Sequence, residues 1–346
     1  MLDRLSAPIV QAPLAGGPST PQLAAAVSDA GGLGFVPAGY RTTEQLRDDI
    51  AATRALTRRP FGVNLFTPGA TPADAEALRR YVTGLEAEAR GAGVSLGGPR
   101  VDDDHFHDKL AALRDDPVEV VSFTFGCPAD EVIASLKARG SSVWVTVTDV
   151  AEARQAAAAG ADALVVQGPE AGGHRGSFSD DRPGDYGLLP LLQLVRAAVR
   201  LPLVAGGGIA TGRAVAAVLS AGAAAAQLGT AFMRCPEAGT SRVHRDALAS
   251  PDRTALTRAF TGRTARGIVN RFLTDHSAQA PSAYPEVHYV TAPLRAHGRR
   301  TGDRDLVNLW AGQAHELAEE LPAGDLVRRL TQEARTALAE AAHRLG

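Results

Sequence analysis

The sequence has little of what disulfide-stabilised or zinc-binding proteins need. It contains only two cysteines in 346 residues, Cys127 and Cys235, and each is followed by proline. No CxxC pair and no cysteine–histidine spacing typical of zinc ligands occurs. We therefore predict neither a disulfide framework nor a metal site.

Charge of one sign and long apolar runs are also missing. The chain has 36 lysines and arginines against 38 aspartates and glutamates, a formal net charge of −2, which gives no electrostatic reason to expect nucleic acid or an anionic membrane as a partner. No uninterrupted run of about 18 apolar residues predicts a membrane span. The N-terminus lacks the apolar run of a signal peptide, so we expect a soluble, cytoplasmic protein. The sequence leaves open whether it is a monomer or a homo-oligomer.

What the sequence does have is a regular alternation of short apolar segments and helical segments. This alternation favours a parallel sheet, and eight repeats in about 250 residues predict an α/β fold, a (β/α)₈ TIM barrel. An open doubly wound sheet is the alternative, but Gly206-Gly207-Gly208 lacks the third glycine of a dinucleotide fingerprint. The eight predicted strands are 9–13, 33–37, 61–66, 119–126, 142–147, 163–167, 203–205 and 224–228.

The repeats predict the domain organisation. Residues 1–250 are expected to form the barrel, with a helix from Pro72 to Arg90 and an irregular insertion at about 91–117. The acidic triplet in that insertion, 102–104, is predicted to be a solvated helix start rather than a metal site. Residues 251–346 break the alternation and predict a smaller, mainly helical second domain that packs on the barrel as a lid.

Within this second domain the sequence distinguishes helical from irregular segments. Asp305–Leu321 and Gly324–Leu345 are expected to be helices, whereas residues 284–286 and 291–293 are expected to be irregular.

The loop after the sixth predicted strand is the strongest candidate for a functional site. Loops that follow barrel strands form the active site in folds of this kind. This loop has glycine at 168, 172, 173 and 176, which lets the main chain approach a ligand closely, and it carries a single histidine, His174. Histidine is suited to proton transfer or to holding an anion near neutral pH. The alternative is a tight turn with a surface histidine.

Polar or glycine-rich residues also follow other strands. Gly207, Gly208 and Gly229 with Thr230 stand after the seventh and eighth strands, where barrels commonly bind phosphate through main-chain N–H groups; close helix–strand packing is the alternative. Asn64 and Gln167 are amides inside apolar strands, and such groups need hydrogen-bond partners when buried. A flavin ring offers matching groups, and a satisfied structural amide is the alternative.

Taken together, several segments resemble the nitronate monooxygenases, formerly called 2-nitropropane dioxygenases. Two tail segments, 260–272 and 309–313, resemble the class I branch of that family. Leu14 stands where methionine is more usual in the family. The matching barrel segments are 11–21, 61–66, 167–176, 206–209 and 227–230.

The resemblance implies an FMN-containing TIM barrel with a second small domain. It implies that the enzyme oxidises alkyl nitronates such as propionate 3-nitronate with O₂, giving an aldehyde or keto product and nitrite. His174 would be the catalytic residue, although the sequence does not fix its protonation state. The residues expected to bind FMN are Gln11, Asn64, Gln167, Gly172, Gly207, Gly208, Gln227, Leu228, Gly229 and Thr230.

Two other functions fit the same fold. One is an NAD(P)H-dependent flavin reductase, similar to enoyl-acyl-carrier-protein or quinone reductases, because fold alone does not decide function. The other is a barrel that binds a phosphorylated small molecule and catalyses no reaction. Rapid flavin reduction by NADPH without air would support the reductase, and a protein purified without a yellow cofactor would support the binding protein.

Overall fold

Eight parallel strands form a barrel in the computed structural model, which describes residues 1–69, 73–181 and 184–345. Val10 also pairs with Leu33, directly before β2, so the first and last strands of the sheet are joined. The predicted (β/α)₈ barrel is confirmed. The barrel strands, in sheet order, are β1 (Ile9–Gln11), β9 (Ala225–Leu228), β8 (Leu203–Gly206), β6 (Ala163–Gln167), β5 (Ser142–Val147), β4 (Val120–Thr124), β3 (Phe61–Phe66) and β2 (Gly34–Pro37).

Strand register brings several predicted site residues to one end of the barrel. Gln167, the last residue of β6, pairs with Gly206, and Gly206 pairs with Gln227 of β9. The loops that follow these three strands therefore leave the barrel side by side.

Eight helices flank the strands along the first part of the chain. Thr20 caps the first of them by accepting a hydrogen bond from the Leu23 N–H, with Pro21 at the first helical position, as the sequence predicts. The helix predicted from Pro72 begins at Ala75, and Pro72 lies outside the described residues. These helices are α1 (Pro21–Asp29), α2 (Thr43–Leu56), α3 (Ala75–Ala92), α4 (Phe106–Asp115), α5 (Asp130–Ala138), α6 (Val150–Ala158), α7 (Leu188–Ala198) and α8 (Gly212–Ser220).

The remaining part of the chain contains both helices and strands. The last helix, α12, packs against α8 and α1 and so covers the barrel beside its first strand. The predicted helix 324–345 is thereby confirmed. The elements of this part are α9 (Arg242–Leu248), β10 (Thr254–Thr257), β11 (Ala265–Ile268), α10 (Arg271–His276), α11 (Glu286–Thr301) and α12 (Ala323–Leu345).

The predicted helix over Asp305–Leu321 is wrong. Only two short 3₁₀ turns occur there, Arg304–Leu306 and His315–Leu317. Between them the chain runs beside β11, because the Ile268 N–H donates to the Leu309 carbonyl and Trp310 pairs with Gly267. Hydrogen bonds to a distant strand therefore replace those of a helix.

The expectation of irregular structure at 284–286 and 291–293 is also wrong at Glu286 and at 291–293, because α11 includes these residues and passes through Pro293. Proline inside a helix frees carbonyls of the preceding turn. Here the Gly97 N–H donates to the Val290 carbonyl, and Gly97 lies so close to the Tyr289 carbonyl that a Cβ on Gly97 would collide with it. The insertion at about 91–117 thus packs on α11, a helix that the sequence around Pro293 does not predict.

A second hydrophobic cluster lies outside the barrel. It joins Tyr81 and Leu85 of α3 to Phe260, Phe272 and Val287 from the tail. The division of the chain into domains at residue 250 stays a prediction.

The acidic triplet, 102–104, is not solvated over its whole length, although the sequence predicts that it is. The Asp104 carboxylate pairs at 2.9 Å with the fully buried Lys109 ammonium and accepts a hydrogen bond from the Tyr40 N–H. Because the Lys109 ammonium is buried, it needs this carboxylate as a partner. In the described residues no helix has the length and apolar character needed to cross a membrane, and no group of three or more His, Cys, Asp or Glu side chains is placed to hold a metal ion.

Candidate functional site

A cavity of about 420 Å³ lies at the carboxyl ends of the barrel strands and is closed by residues of the tail. Its size is in the range of small-molecule sites. The glycine wall consists of Gly206–Gly208, Gly229 and Thr230. The tail wall consists of Thr261, Tyr284, His288, Arg295, Arg299 and Trp310; Tyr284 belongs to it through its ring contact with His174, and the others line the cavity.

Most of the predicted site residues line this cavity, but two do not. Leu228 belongs to the hydrophobic core of the barrel. Gln11 is fully buried, and its amide donates to Ser19 Oγ at 2.8 Å and accepts from the Phe35 N–H at 2.9 Å. The amide of Gln11 is thus satisfied within the protein. The predicted residues that line the cavity are Asn64, Gln167, Gly172, His174, Gly207, Gly208, Gln227, Gly229 and Thr230.

The three cavity-lining amides differ in how much hydrogen-bonding capacity they retain. Asn64 exchanges hydrogen bonds with Thr124, whose hydroxyl donates to Asn64 Oδ1 at 2.9 Å. Gln167 donates to the His174 carbonyl at 3.0 Å and accepts from the Gly176 N–H at 2.8 Å, so it holds the histidine loop in place. The Gln227 side chain has no hydrogen-bond partner among the residues that the structure describes. Gln227 therefore has the greatest capacity for a ligand.

The glycine wall presents backbone rather than side chains. Gly207 and Gly208 have φ of +134° and +66°, a region that favours glycine. The N–H groups of Gly208 and Gly229 donate to no acceptor in the described part of the chain. A Cβ on Gly208 would stand 3.1 Å from the Glu170 Cβ, and one on Gly229 would stand 3.1 Å from Leu14 Cδ2. The glycine wall thus offers main-chain N–H donors that have no acceptor, at positions where a side chain would be in close contact with its neighbours.

His174 is positioned by a small sheet that the sequence does not predict. Gly173–His174 forms the short strand β7, which pairs antiparallel with Ala265 and Arg266 of β11. Aromatic rings surround the imidazole, with centroids 5.7 Å away for Phe125 and 5.6 Å away for both Tyr284 and Trp310. The tail therefore fixes the orientation of a residue that the barrel loop carries.

One side-chain hydrogen bond holds the imidazole ring of His174. His174 Nε2 lies 2.9 Å from Thr261 Oγ1, and the Thr261 hydroxyl lies 3.2 Å from the Arg263 carbonyl. A threonine hydroxyl has one proton to donate. That proton can go to the Arg263 carbonyl or to His174 Nε2, so the contact holds the ring in place whichever imidazole nitrogen carries the proton.

The surroundings of His174 also set its charge. Burial, together with the positive charges of Arg263 and Arg295, lowers the pKa of His174 to about 3. Both causes disfavour the imidazolium. His174 is therefore neutral near neutral pH, which answers the question that the sequence left open.

The tail wall contains residues that sequence reasoning missed. The His288 ring stacks on Tyr40 with centroids 4.2 Å apart, and the Tyr284 hydroxyl donates to the Tyr40 hydroxyl at 3.0 Å. Burial lowers the pKa of His288 to about 2, with Arg295 as the next largest cause. Of this wall only Thr261 and Trp310 stood in segments that the family resemblance had marked. Nothing in the sequence signalled His288 or Arg295, because α11 was not predicted.

Comparisons with known proteins agree over almost the whole chain. The family model described as nitronate monooxygenase matches residues 1–333. A nitronate monooxygenase from Pseudomonas aeruginosa is 44% identical over 342 residues, which cover 95% of this chain and 96% of the relative. The resemblance noted in the sequence is thus confirmed.

Solved structures give the same result. A nitroalkane oxidase from Streptomyces ansochromogenes superposes with a TM-score of 0.95 at 51% identity, covering 98% of this chain and 99% of that one. FabK from Thermotoga maritima superposes with a TM-score of 0.78 at 26% identity, covering 99% and 97%. The chain is therefore an oxidoreductase and belongs to the nitronate monooxygenase family.

Proposed function

We propose that this protein is a cytoplasmic, FMN-dependent nitronate monooxygenase. It oxidises alkyl nitronates of the propionate 3-nitronate type with O₂ to an aldehyde or keto product and nitrite. The observation that carries the proposal is the neutral His174 imidazole, which lines the same cavity as the free N–H groups of the glycine wall. Family membership supports the substrate class.

The glycine wall fits the phosphate of FMN. Free N–H groups at Gly208 and Gly229 can donate to phosphate oxygens, and glycine leaves no side chain in the way. The free amide of Gln227 can serve the polar edge of the flavin ring. When bound, FMN supplies the one-electron chemistry by which a nitronate and O₂ become a carbonyl product and nitrite.

The charge state of His174 favours nitronates over neutral nitroalkanes as substrates. Removing a proton from a neutral nitroalkane needs a base whose pKa lies near the working pH, and a pKa of about 3 is far below it. A nitronate has already lost that proton. Its negative charge beside His174 favours the imidazolium, so the histidine can take up a proton as the substrate binds.

The test starts with the absorbance spectrum of the purified protein and mass spectrometry of the cofactor released by heat. Oxygen uptake and nitrite release are then measured with a panel of nitronates and with the corresponding neutral nitroalkanes. We expect noncovalent FMN and faster turnover of the nitronates. A protein without flavin, or one that releases no nitrite from any nitronate, would refute the proposal.

The second candidate is an NAD(P)H-dependent flavin reductase, because the same fold can carry more than one function. The two functions differ in their electron donor. Mixing the FMN-loaded protein with NADPH in the absence of air separates them. Rapid loss of flavin absorbance would support the reductase, and a slow change would leave the nitronate as the electron donor.

A further inference from the structure

We propose that Arg295 and Arg299 form an anion subsite for a carboxylate on the tail of the nitronate substrate. The subsite selects nitronates that carry a second negative charge over nitronates with an apolar tail. This inference rests on the proposed nitronate oxidation, and it assigns the specificity of that reaction to two residues of α11.

Arg295 is a buried cation without a counter-ion. Only 6% of the residue is exposed, and no carboxylate lies within salt-bridge distance of it in the part of the chain that the structure describes. Its acceptors are neutral: the Thr291 hydroxyl at 3.1 Å, the His288 carbonyl at 2.6 Å and the His288 ring nitrogen Nδ1 at 3.3 Å. A buried charge is costly unless an opposite charge compensates it.

The same arginine retains donor capacity toward the cavity. Arg295 is among the residues that line the cavity, and its Nη1 has no hydrogen-bond partner among residues 1–69, 73–181 and 184–345. The planar guanidinium group matches the two oxygens of a carboxylate. An anion in the cavity can therefore supply the missing charge.

Arg299 adds a second positive charge to the same site. It follows Arg295 by one helical turn and also lines the cavity, and its closest recorded side-chain acceptor is Asn308 Oδ1 at 3.4 Å. Burial lowers the pKa of Arg295 to about 10, and the charge of Arg299 is the next largest cause. Like charges one turn apart on a helix repel each other. An anion between them would relieve this repulsion.

Several other arginines of the tail lie outside the cavity and have an acidic partner. Arg271 pairs with Glu88 at 2.6 Å, Arg258 with Asp180 at 2.7 Å and Arg304 with Asp252 at 2.7 Å. Arg263 and Arg266 also lack an acidic partner, but they donate to main-chain carbonyls and do not line the cavity. Arg295 and Arg299 are the arginines of the cavity lining, and neither is paired with a carboxylate in the described part of the chain. They also belong to the tail wall, whereas the donors suited to FMN phosphate belong to the glycine wall.

The test compares two substrates that differ in the tail. Propionate 3-nitronate carries a carboxylate, and butyl 1-nitronate carries an apolar group at the corresponding place. For Arg295→Met and Arg299→Met, we expect the ratio of kcat/KM for the two substrates to fall roughly 10–100-fold, mainly through KM, the range for a lost charge-assisted hydrogen bond. Arg300→Met is the matched control, since Arg300 is exposed on the same helix and does not line the cavity.

The outcomes separate failure of the subsite from failure of the proposed function. If the wild-type protein oxidises butyl 1-nitronate but the ratio is unchanged in both variants, the subsite is refuted and the function stands. If the wild type oxidises neither substrate, the function fails. Flavin absorbance shows whether Arg295→Met still folds, and the exposed Arg299 provides a second variant if it does not.

One further measurement tests whether the two arginines bind a different anion from the substrate carboxylate. The phosphates of a nicotinamide dinucleotide are also anionic, so anaerobic flavin reduction by NADPH is measured in the same variants. If Arg295→Met and Arg299→Met slow that reduction and leave the substrate ratio unchanged, the arginines bind the dinucleotide and the proposal is overturned.

Discussion

The glycine wall and the tail wall of the cavity are built from different chemistry. The glycine wall presents main-chain N–H groups on residues without side chains, and it carries no formal charge. The tail wall presents aromatic rings and two guanidinium groups. The glycine wall suits a cofactor, which is bound in the same way in every turnover. The tail wall suits a substrate, which must be distinguished from similar molecules.

His174 lies where the two walls meet. It belongs to the glycine-rich loop after β6, but its strand pairs with β11 and its Nε2 contacts Thr261 of the tail. A substitution in either wall can therefore alter the position of His174. The difference between the walls predicts which substitutions remove the cofactor and which affect only turnover.

The largest effect is expected in the glycine wall. Gly208→Val or Gly229→Val should abolish FMN binding, because a side chain would occupy the volume next to the free N–H groups. The measurement is the ratio of flavin to protein absorbance after purification. Gly93→Val is the matched control, since Gly93 has a φ of +63°, close to the +66° of Gly208, and open space around it. Full flavin in both wall variants would show that the phosphate binds elsewhere.

The next effect is expected where the walls meet. His174→Asn should retain FMN but lower nitronate turnover roughly 10²–10⁴-fold, the range for removing a group that transfers a proton. Steady-state oxygen uptake measures this. A loss that is smaller with nitronate than with the neutral nitroalkane would identify a general base. Wild-type turnover with both substrates would make His174 a structural turn residue.

A smaller effect is expected in the tail wall. Thr261→Val removes the hydroxyl that forms a hydrogen bond with Nε2 of His174, so the imidazole loses the partner that holds its orientation. Turnover should fall about 10-fold with FMN retained, the size of a single lost hydrogen bond. Thr261→Ser keeps the hydroxyl and should stay near the wild type. Equal losses in both variants would point to packing of the methyl group instead.

The smallest effect concerns pH. The pKa of His174 is lowered to about 3, so the imidazole is neutral above that pH and becomes charged only below it. We therefore expect kcat/KM for a preformed nitronate to show no inflection near the ordinary histidine pKa of about 6.5. Wild-type and His174→Asn profiles should have the same shape. An inflection there that disappears in His174→Asn would contradict the assigned charge state.

The sequence predicted the barrel well because its signals are local. Each strand is a short apolar run and several helices have a side-chain cap, as at Thr20, so neighbouring residues carry the information. The site residues at the ends of strands could be predicted from the same alternation of strands and helices. Gln11 shows the limit of this reasoning, because only the fold reveals that Ser19 and Phe35 satisfy its amide.

The tail wall depends on contacts between residues far apart in the sequence. β7 and β11 are separated by about 90 residues, and His174 alone gives no sign that it pairs with Ala265. Pro293 suggested a break, yet Gly97 supplies a donor to the carbonyl of Val290 in the turn before it. Such partners are invisible to local patterns, which is why Arg295 and His288 were missed.

The position of α12 has a consequence for synthesis of the protein. β1 pairs with β9, and α12, from Ala323 to Leu345, covers α1 and α8. The contacts of β1 with β9 and of α1 with α12 therefore form only after these later elements have been synthesised. Domains with such distant contacts pay the entropy of closing a long loop before they gain stability. On the ribosome α1 can pack on α2 and β2 early, but the part of its surface that α12 covers stays exposed until residues 323–345 have been synthesised, and this is the stage at which chaperones would matter most.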